Sequence, residues 1–369
     1  MSLDFFRGLT IMAMILVNNP GDEEAAYWPL QHAKWNGWTP TDLIFPFFLF
    51  IVGVAMMFSF WSRLQRGESR RDLMLHVVRR AFILFALGLF LNGFPNHFHA
   101  GSIRIYGVLQ RIAVCYLIAA AVALWTCGRG RIAAIAVCLL GYWALMRYVP
   151  VPGFGVPTRD IPLLDPDRNL VAWLDRKLLM GHLYENTRDP EGVISTLPAI
   201  ATVLLGVLTG EWLRSERTRH AKAAWIFAAG VAGLAAGEFF NTWFPINKKL
   251  WTSSFVLFTA GFALVLLALC YCVLDIKKWR GGWTKPVLIF GMNAIAAYGF
   301  AELIAHMVDR LTVTLSDGRT LSWQQAIYEK TFEHLASPPN ASLFYAIVFV
   351  LICLIAMWVL YRKKIFLKI

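Results

Sequence analysis

Charged residues are scarce in this chain. Asp, Glu, Lys and Arg make up 16% of its 369 residues, where a soluble domain carries roughly 25%. An ordinary water-soluble enzyme is excluded on that ground. Also missing are a Walker loop, a dinucleotide fingerprint, a Gly-x-Ser-x-Gly elbow and a His-Glu-x-x-His pair. P-loop kinase, serine-hydrolase and zinc-protease readings therefore have nothing to rest on. Cysteine is sparse, at six (Cys115, Cys127, Cys138, Cys270, Cys272 and Cys353). None forms Cys-x-x-Cys or joins histidines at ligand spacing, so neither a metal site nor a disulfide framework is expected.

Apolar sequence dominates instead. The chain is 58% hydrophobic with a mean hydropathy of +0.55, and its apolar residues come in blocks of about 20, long enough to cross a bilayer. The expected fold is all-α, a polytopic transmembrane helical bundle of about ten spans. These lie near 4–19, 41–62, 74–93, 104–126, 131–149, 194–213, 221–240, 250–274, 285–308 and 343–361. The first block lacks a small-residue cleavage site and runs into Asn18-Asn19-Pro20, so no cleavable leader is expected. Two polar stretches, about 150–193 and 309–342, exceed the usual connection length and are expected to cover one mouth of the bundle.

The net charge is +12. It does not point to nucleic acid, because Lys and Arg sit at the ends of apolar blocks, as topology signals do. About 21 basic residues fall in short segments on one side, against about 13 spread over longer loops opposite. The first side is read as cytoplasmic, with both termini inside. The loop holding His32, the two long stretches and the Pro245–Lys249 turn then lie outside.

The most informative stretch is Gln31–Phe50. Thr39 suits an N-cap, Pro40 the first helical position, and Asp42 the acid of a capping box. His32 lies just before this helix start, among Trp28, Trp35 and Trp38. Histidine is suited to accept a proton near neutral pH; equally, an interfacial histidine fits an aromatic belt. Asp42 either orients His32 or caps the helix. Asn18, at the end of the first block, either donates to a developing oxyanion or is a plain helix-end amide.

Other polar residues divide in the same way. Arg111, in Gln110-Arg111 of the fourth block, is a charge inside a span, which is costly and usually functional or paired. Asp4 and Arg7 are spaced to pair with each other one helical turn apart. In Asp189-Pro190-Glu191-Gly192, Asp189 and Pro190 read as a helix start, and Glu191 as part of it or as a substrate-binding acid. Asn247, Lys248 and Lys249 sit outside, against the topology rule. Glu302 and His306 are one turn apart in the ninth block, and Glu238 ends the seventh. His97 and His99 read as solvated.

A set of collinear motifs resembles one family. Ser2-Leu3-Asp4-Phe5-Phe6-Arg7-Gly8, Val17-Asn18, His32-Ala33-Lys34-Trp35-Asn36-Gly37, Asp42-Leu43-Ile44-Phe45-Pro46, Gly107-Val108-Leu109-Gln110-Arg111, Asp189-Pro190-Glu191-Gly192, Pro245-Ile246-Asn247-Lys248, Leu250-Trp251 and Gly291-Met292-Asn293 occur in the order found in the heparan-α-glucosaminide N-acetyltransferase family. The resemblance runs from residue 2 to about 305. It implies a single transmembrane acyltransferase domain over 1–369, working with acetyl-CoA as co-substrate and no metal. Acetyl would pass from the cytoplasmic side to the amino group of a glucosamine-type sugar outside. By resemblance, His32 matches the catalytic histidine and Asn18 the active-site asparagine, with Asp42 beside them. Arg79, Arg80, Lys277, Lys278 and Arg111 are the candidates to hold acetyl-CoA, the first four being equally what topology alone places there, and Trp35, Asn36, Glu191, Asn247 and Lys248 are expected to hold the acceptor. The family's large N-terminal lumenal domain has no counterpart here, so a bacterial amino sugar or envelope glycan is the expected acceptor. An inner-membrane location follows, and a homodimer is implied by the resemblance. An amino-sugar transporter and an envelope-glycan O-acetyltransferase are the alternatives.

Overall fold

The computed structural model describes residues 1–94, 98–99, 101–314 and 318–367. Each of the ten apolar blocks is helical. In chain order the helices are α1 (Ser2–Asn18), α2 (Ile44–Leu64), α3 (Arg70–Gly93), α4 (Val108–Trp125), α5 (Gly128–Tyr148), the short α6 (Leu170–Leu179), α7 (Thr196–Arg214), α8 (Arg219–Asn241), α9 (Ser253–Tyr271), α10 (Thr284–Met292), α11 (Ala294–Arg310), the short α12 (Trp323–Ile327) and α13 (Pro338–Arg362). Strands β1 (Thr312–Thr314) and β2 (Thr320–Ser322) pair antiparallel between α11 and α12. Among the described residues, eight helices are long and apolar enough to cross a membrane. With its 17 residues α1 is marginally shorter than these.

The block expected at 285–308 is a broken helix, α10 and α11 meeting at 86°. Asn293 stands at the break in a non-helical conformation. Its side chain donates to the Ile365 carbonyl and accepts from the Leu367 N–H. A side chain engaged with the C-terminal segment thus lies where the backbone ladder is interrupted, a recognised site for a kink.

The described residues divide into two compact units. The larger comprises Lys34–Trp38 and Pro46–Ile276. Within it α2 and α7 approach backbone to backbone. A Cβ on Gly53 would lie 2.0 Å from the Val203 carbonyl oxygen, and one on Gly206 would lie 2.1 Å from that of Phe50. In a bilayer, small residues of this kind let helices associate by close packing and main-chain contact. The stretch at 150–193 is not structureless. Val151, Ile161, Leu164, Leu170 and Val171 bury themselves against Tyr142, Met146, Phe244 and Leu250, and the Tyr142 hydroxyl donates to the Leu250 carbonyl at 2.6 Å. This apolar core keeps the segment ordered outside the spans.

The smaller unit comprises Met1–Ala33, Thr39–Phe45 and the chain from Lys277 onward. Asp4 and Arg7 pair as their spacing predicts, at 2.7 Å, and Arg7 Nε also donates to the Gly291 carbonyl at 2.6 Å. The 309–342 stretch reaches the end of α1. The Gly21 N–H donates to the Ser342 carbonyl, the Asp22 N–H to Ser342 Oγ, and the Ser342 hydroxyl to the Asp22 carbonyl. Gln324 Nε2 donates to the Pro20 carbonyl and the Tyr27 hydroxyl to Asn340 Oδ1.

Candidate active site

Helix α2 is entered through a 3-10 turn, Pro40–Leu43, and Asp42 in that turn is fully buried. Its carboxylate divides its work. Oδ2 accepts the N–H groups of Thr39 and Ala33, both at 3.0 Å, and the Thr39 hydroxyl at 3.1 Å. Oδ1 lies 2.8 Å from Nδ1 of His32. Capping and orienting are therefore not alternatives, since one carboxylate does both. The His32 side chain is 49% exposed and that of Asp42 1%. The buried acid fixes the ring by one nitrogen, and Nδ1–H facing a carboxylate leaves Nε2 as the basic nitrogen. The Thr39 hydroxyl shares its single proton between Asp42 and the nearer Gln31 carbonyl at 2.6 Å, closing the backbone just before His32.

Asn18 is the last residue of α1 and is exposed, with no hydrogen-bond partner for its side chain among the described residues. Asn19 instead folds back to the Ile15 carbonyl. The amide of Asn18 is thus free to donate.

The larger unit holds a polar network that the sequence revealed only in part. Arg104, in the connection before α4, donates to both oxygens of Asp189 at 2.6 and 2.9 Å and to Glu191. A bidentate guanidinium–carboxylate pair of this kind sets geometry as well as charge. Burial opposes the charge on Glu191, but Arg104, Arg111 and Lys248 outweigh it and hold the carboxyl below the usual glutamate range. Helix α7 starts at Thr196, beyond the start read at Pro190. Asp189-Pro190-Glu191-Gly192 forms the turn before it, with Asp189 Oδ1 accepting the Glu191 N–H. Arg111 is fully buried. Its Nη2 donates to Ser195 Oγ and the Gly192 carbonyl, and its guanidinium lies over the Trp251 ring.

Three residues of the His-Ala-Lys-Trp-Asn-Gly block in this unit, Trp35, Asn36 and Gly37, are anchored. Trp35 Nε1 donates to the Leu164 carbonyl at 2.8 Å, and Arg188 lies over its ring. Asn36 Oδ1 accepts from Asn247 Nδ2 at 3.1 Å, and the Gly37 N–H donates to the Ile246 carbonyl. Asn247 also receives the Leu250 N–H, so it shapes the turn leading to Trp251. That buried tryptophan has φ +52, a left-handed conformation that is a genuine outlier for a bulky side chain. Lys249 pairs with Glu185 at 2.8 Å, and Lys248 contributes charge near Glu191.

Of the basic residues assigned to acetyl-CoA, Arg111 has its guanidinium on Ser195 and the Gly192 carbonyl. Arg79 is exposed on α3, and Arg80 lies over the Tyr116 ring. Lys277 and Lys278, in the smaller unit, are exposed. Glu302 and His306 make an i,i+4 contact at 3.6 Å. His97 lies outside the described residues, and His99 is exposed. Sequence reasoning missed Arg104, Asp175 and Glu185. Arg104 carried a usable signal, a lone arginine between isoleucines just ahead of an apolar helix. Among the described residues no group of three or more metal-ligating side chains occurs.

Comparison with known proteins decides the family. A model described as heparan-alpha-glucosaminide N-acetyltransferase, catalytic, matches residues 1–236. The chain belongs to this family. It is 30% identical over 423 aligned positions to the heparan-alpha-glucosaminide N-acetyltransferase of Homo sapiens and 31% over 426 to that of Mus musculus, in each case along 100% of the chain. The chain spans 59% and 60% of the length of these relatives. The family match takes in the His32–Asp42 pair, Asn18, Arg104, Arg111 and the 189–192 turn, and Asn247 and Lys248 lie beyond it.

Proposed function

We propose that this chain is a transmembrane acetyltransferase that takes acetyl from acetyl-CoA on the cytoplasmic side and delivers it to the amino group of a glucosamine-type sugar on the other side. The observation that carries the reading is the His32–Asp42 pair, a half-exposed imidazole held by a buried carboxylate. It is the arrangement a general base or acyl carrier needs. The names of the relatives support the acceptor class.

Two routes use the same residues. In one, the amine attacks the thioester carbon, His32 takes the amine proton, and the C–S bond breaks to release the CoA thiolate. In the other, Nε2 of His32 attacks the thioester carbon and the C–S bond breaks to release the CoA thiolate; the amine then attacks the acetyl-imidazole, the bond from the ring nitrogen to the acetyl carbon breaks, and that nitrogen takes up the amine proton. In both, Asp42 stabilises the positive charge that develops on the imidazole, and the free Asn18 amide donates to the carbonyl oxygen as it becomes negative. Glu191 and Lys248, with the turn that Asn36 and Asn247 shape, take the hydroxyls and ammonium of the acceptor. Arg79, Arg80, Lys277 and Lys278 offer positive charge to the phosphates of CoA. The Lys/Arg asymmetry supports a cytoplasmic side for these and an exocytoplasmic side for His32, in a bacterial inner membrane.

Purified protein given acetyl-CoA and glucosamine should release free thiol, and folded His32→Ala protein should not. Glucosamine binding without thiol release would move the reading to a transporter. Radiolabelled acetyl recovered on His32 in the absence of acceptor selects the second route, and its repeated absence selects the first.

A further inference from the structure

Asp175, on α6, plays no part in the reaction described above, yet it is wholly buried. Its Oδ1 accepts the Val193 N–H at 2.9 Å. Its Oδ2 has no hydrogen-bond partner among the described residues. That oxygen sits where Gly192 lacks a side chain, since a Cβ there would lie 2.0 Å from it. The Gly192 carbonyl receives Arg111 Nη2, Ser195 Oγ and Thr196 Oγ1. Nε and Nη1 of Arg111 are likewise buried and without partners.

An unfilled acceptor and two unfilled donors of opposite formal charge therefore share one buried neighbourhood, with the bonds to Gly192 and Val193 holding each in place. While the carboxyl is neutral the two groups keep their separate bonds, whereas an ionised carboxylate is drawn toward the guanidinium, each charge having lost its hydration. Burial, reinforced by the Asp189 charge, pushes the Asp175 carboxyl up to about 7, against the Val193 bond and the charges of Arg111 and Arg176. The other titratable groups whose charge couples to it are Tyr106, just before α4, and Tyr142 of α5.

We propose that Asp175 is a positioning residue for the acceptor: its proton decides whether Arg111 stays on the Gly192 carbonyl, and with it where the adjacent Glu191 carboxylate points. With Asp175 neutral, the Asp189–Val193 turn is as described, clamped by Arg104, Arg111 and the Asp175–Val193 bond. With Asp175 ionised, its free oxygen and the free donors of Arg111 draw together, the Gly192 carbonyl loses a donor, and the turn loosens. The turn is the two-state element, and the proton biases it. The consequence for the acceptor rests on the reading of Glu191 given above.

Two measurements on the full-length protein in detergent test this. Hydrogen exchange of the peptide spanning residues 189–196, corrected for intrinsic rate, should lose protection in the wild type between about one unit below and one unit above pH 7, and keep it in Asp175→Asn. The KM for glucosamine should rise about tenfold over the same interval in the wild type and stay flat in the variant, with kcat changing alike in both. Protection independent of pH in the wild type overturns the clamp, with or without a foldable variant. Equal loss of protection in both proteins also overturns it. A loosened turn with parallel KM profiles overturns the link to the acceptor. Wild-type protein that acetylates no glucosamine removes the reading of the reaction, and the exchange measurement still decides the clamp.

Discussion

Nδ1 of His32 and Oδ1 of Asp42 lie 2.8 Å apart, and the other oxygen of the same carboxylate accepts the N–H that opens the turn into α2. The orientation of the imidazole and the start of a membrane helix therefore depend on one side chain. Asp42 is ten residues from His32 and three from Thr39, so the coupling is local in sequence.

This coupling separates two effects of substitution. Asp42→Asn keeps an oxygen for the cap but removes the charge facing His32. It is expected to lower kcat roughly 10²-fold or more, with a small change in thermal midpoint. Asp42→Ala removes the cap as well and should cost about 1 kcal/mol more stability. Thiol release and thermal unfolding on the same preparations check both. Equal activity in the wild type and Asp42→Asn would deny Asp42 its orienting role.

Arg104 balances two acids of low exposure, Asp189 and Glu191. Arg104→Ala leaves both without their guanidinium and should destabilise the protein by roughly 3–5 kcal/mol. Arg104→Lys, which cannot make the bidentate contact, should fall between. Thermal unfolding in one detergent ranks the three proteins.

Asp175 predicts a stability profile as well as a kinetic one. Its folded-state carboxyl is raised to about 7 from an ordinary value of 3.8, so the folded chain binds a proton that the unfolded chain has released in that window. Stability attributable to this group is fully present below about pH 4 and is lost as pH rises through 7. Asp175→Asn should therefore gain stability relative to the wild type as pH increases, and the two unfolding curves should converge toward acid pH.

Glu185 behaves in the opposite sense. Burial works against its charge, but Lys249 and Arg188 hold its carboxyl below the ordinary glutamate range. The stability it contributes is present above that range and lost as pH falls through the lowered value. Glu185→Gln should lower stability modestly at neutral pH and converge with the wild type toward acid pH, so that its acid limb is flatter; the effect is small because the group is partly solvated.

Gly53 tests the packing that carries the larger unit. Gly53→Ala puts a methyl group about 2 Å from the Val203 carbonyl oxygen, which is main chain and has no rotamer to yield. The helices must separate, so monodisperse protein on size-exclusion chromatography should fall sharply. Gly141→Ala, at a glycine with nothing close to it, is the control and should behave as wild type.

Sequence alone determined the class of molecule, the helical blocks and the Thr39–Asp42 helix start, leaving open whether Asp42 also holds His32, which it does. Apolar runs of about 20 residues, a Thr-Pro-Thr-Asp helix start and an i,i+3 pair such as Asp4–Arg7 are written within a few neighbouring residues, and the physics that reads them is equally short-ranged. Tertiary structure decided the rest. It delayed α7 to Thr196, broke the 285–308 block at Asn293, and gave Arg104 its acids 85 and 87 residues away. It also buried Asp175 against Gly192. None of these has a local signature, because the partner of a buried polar group is chosen by whichever donor or acceptor the packed chain brings within 3 Å, and an unmet bond there costs more than any local preference supplies.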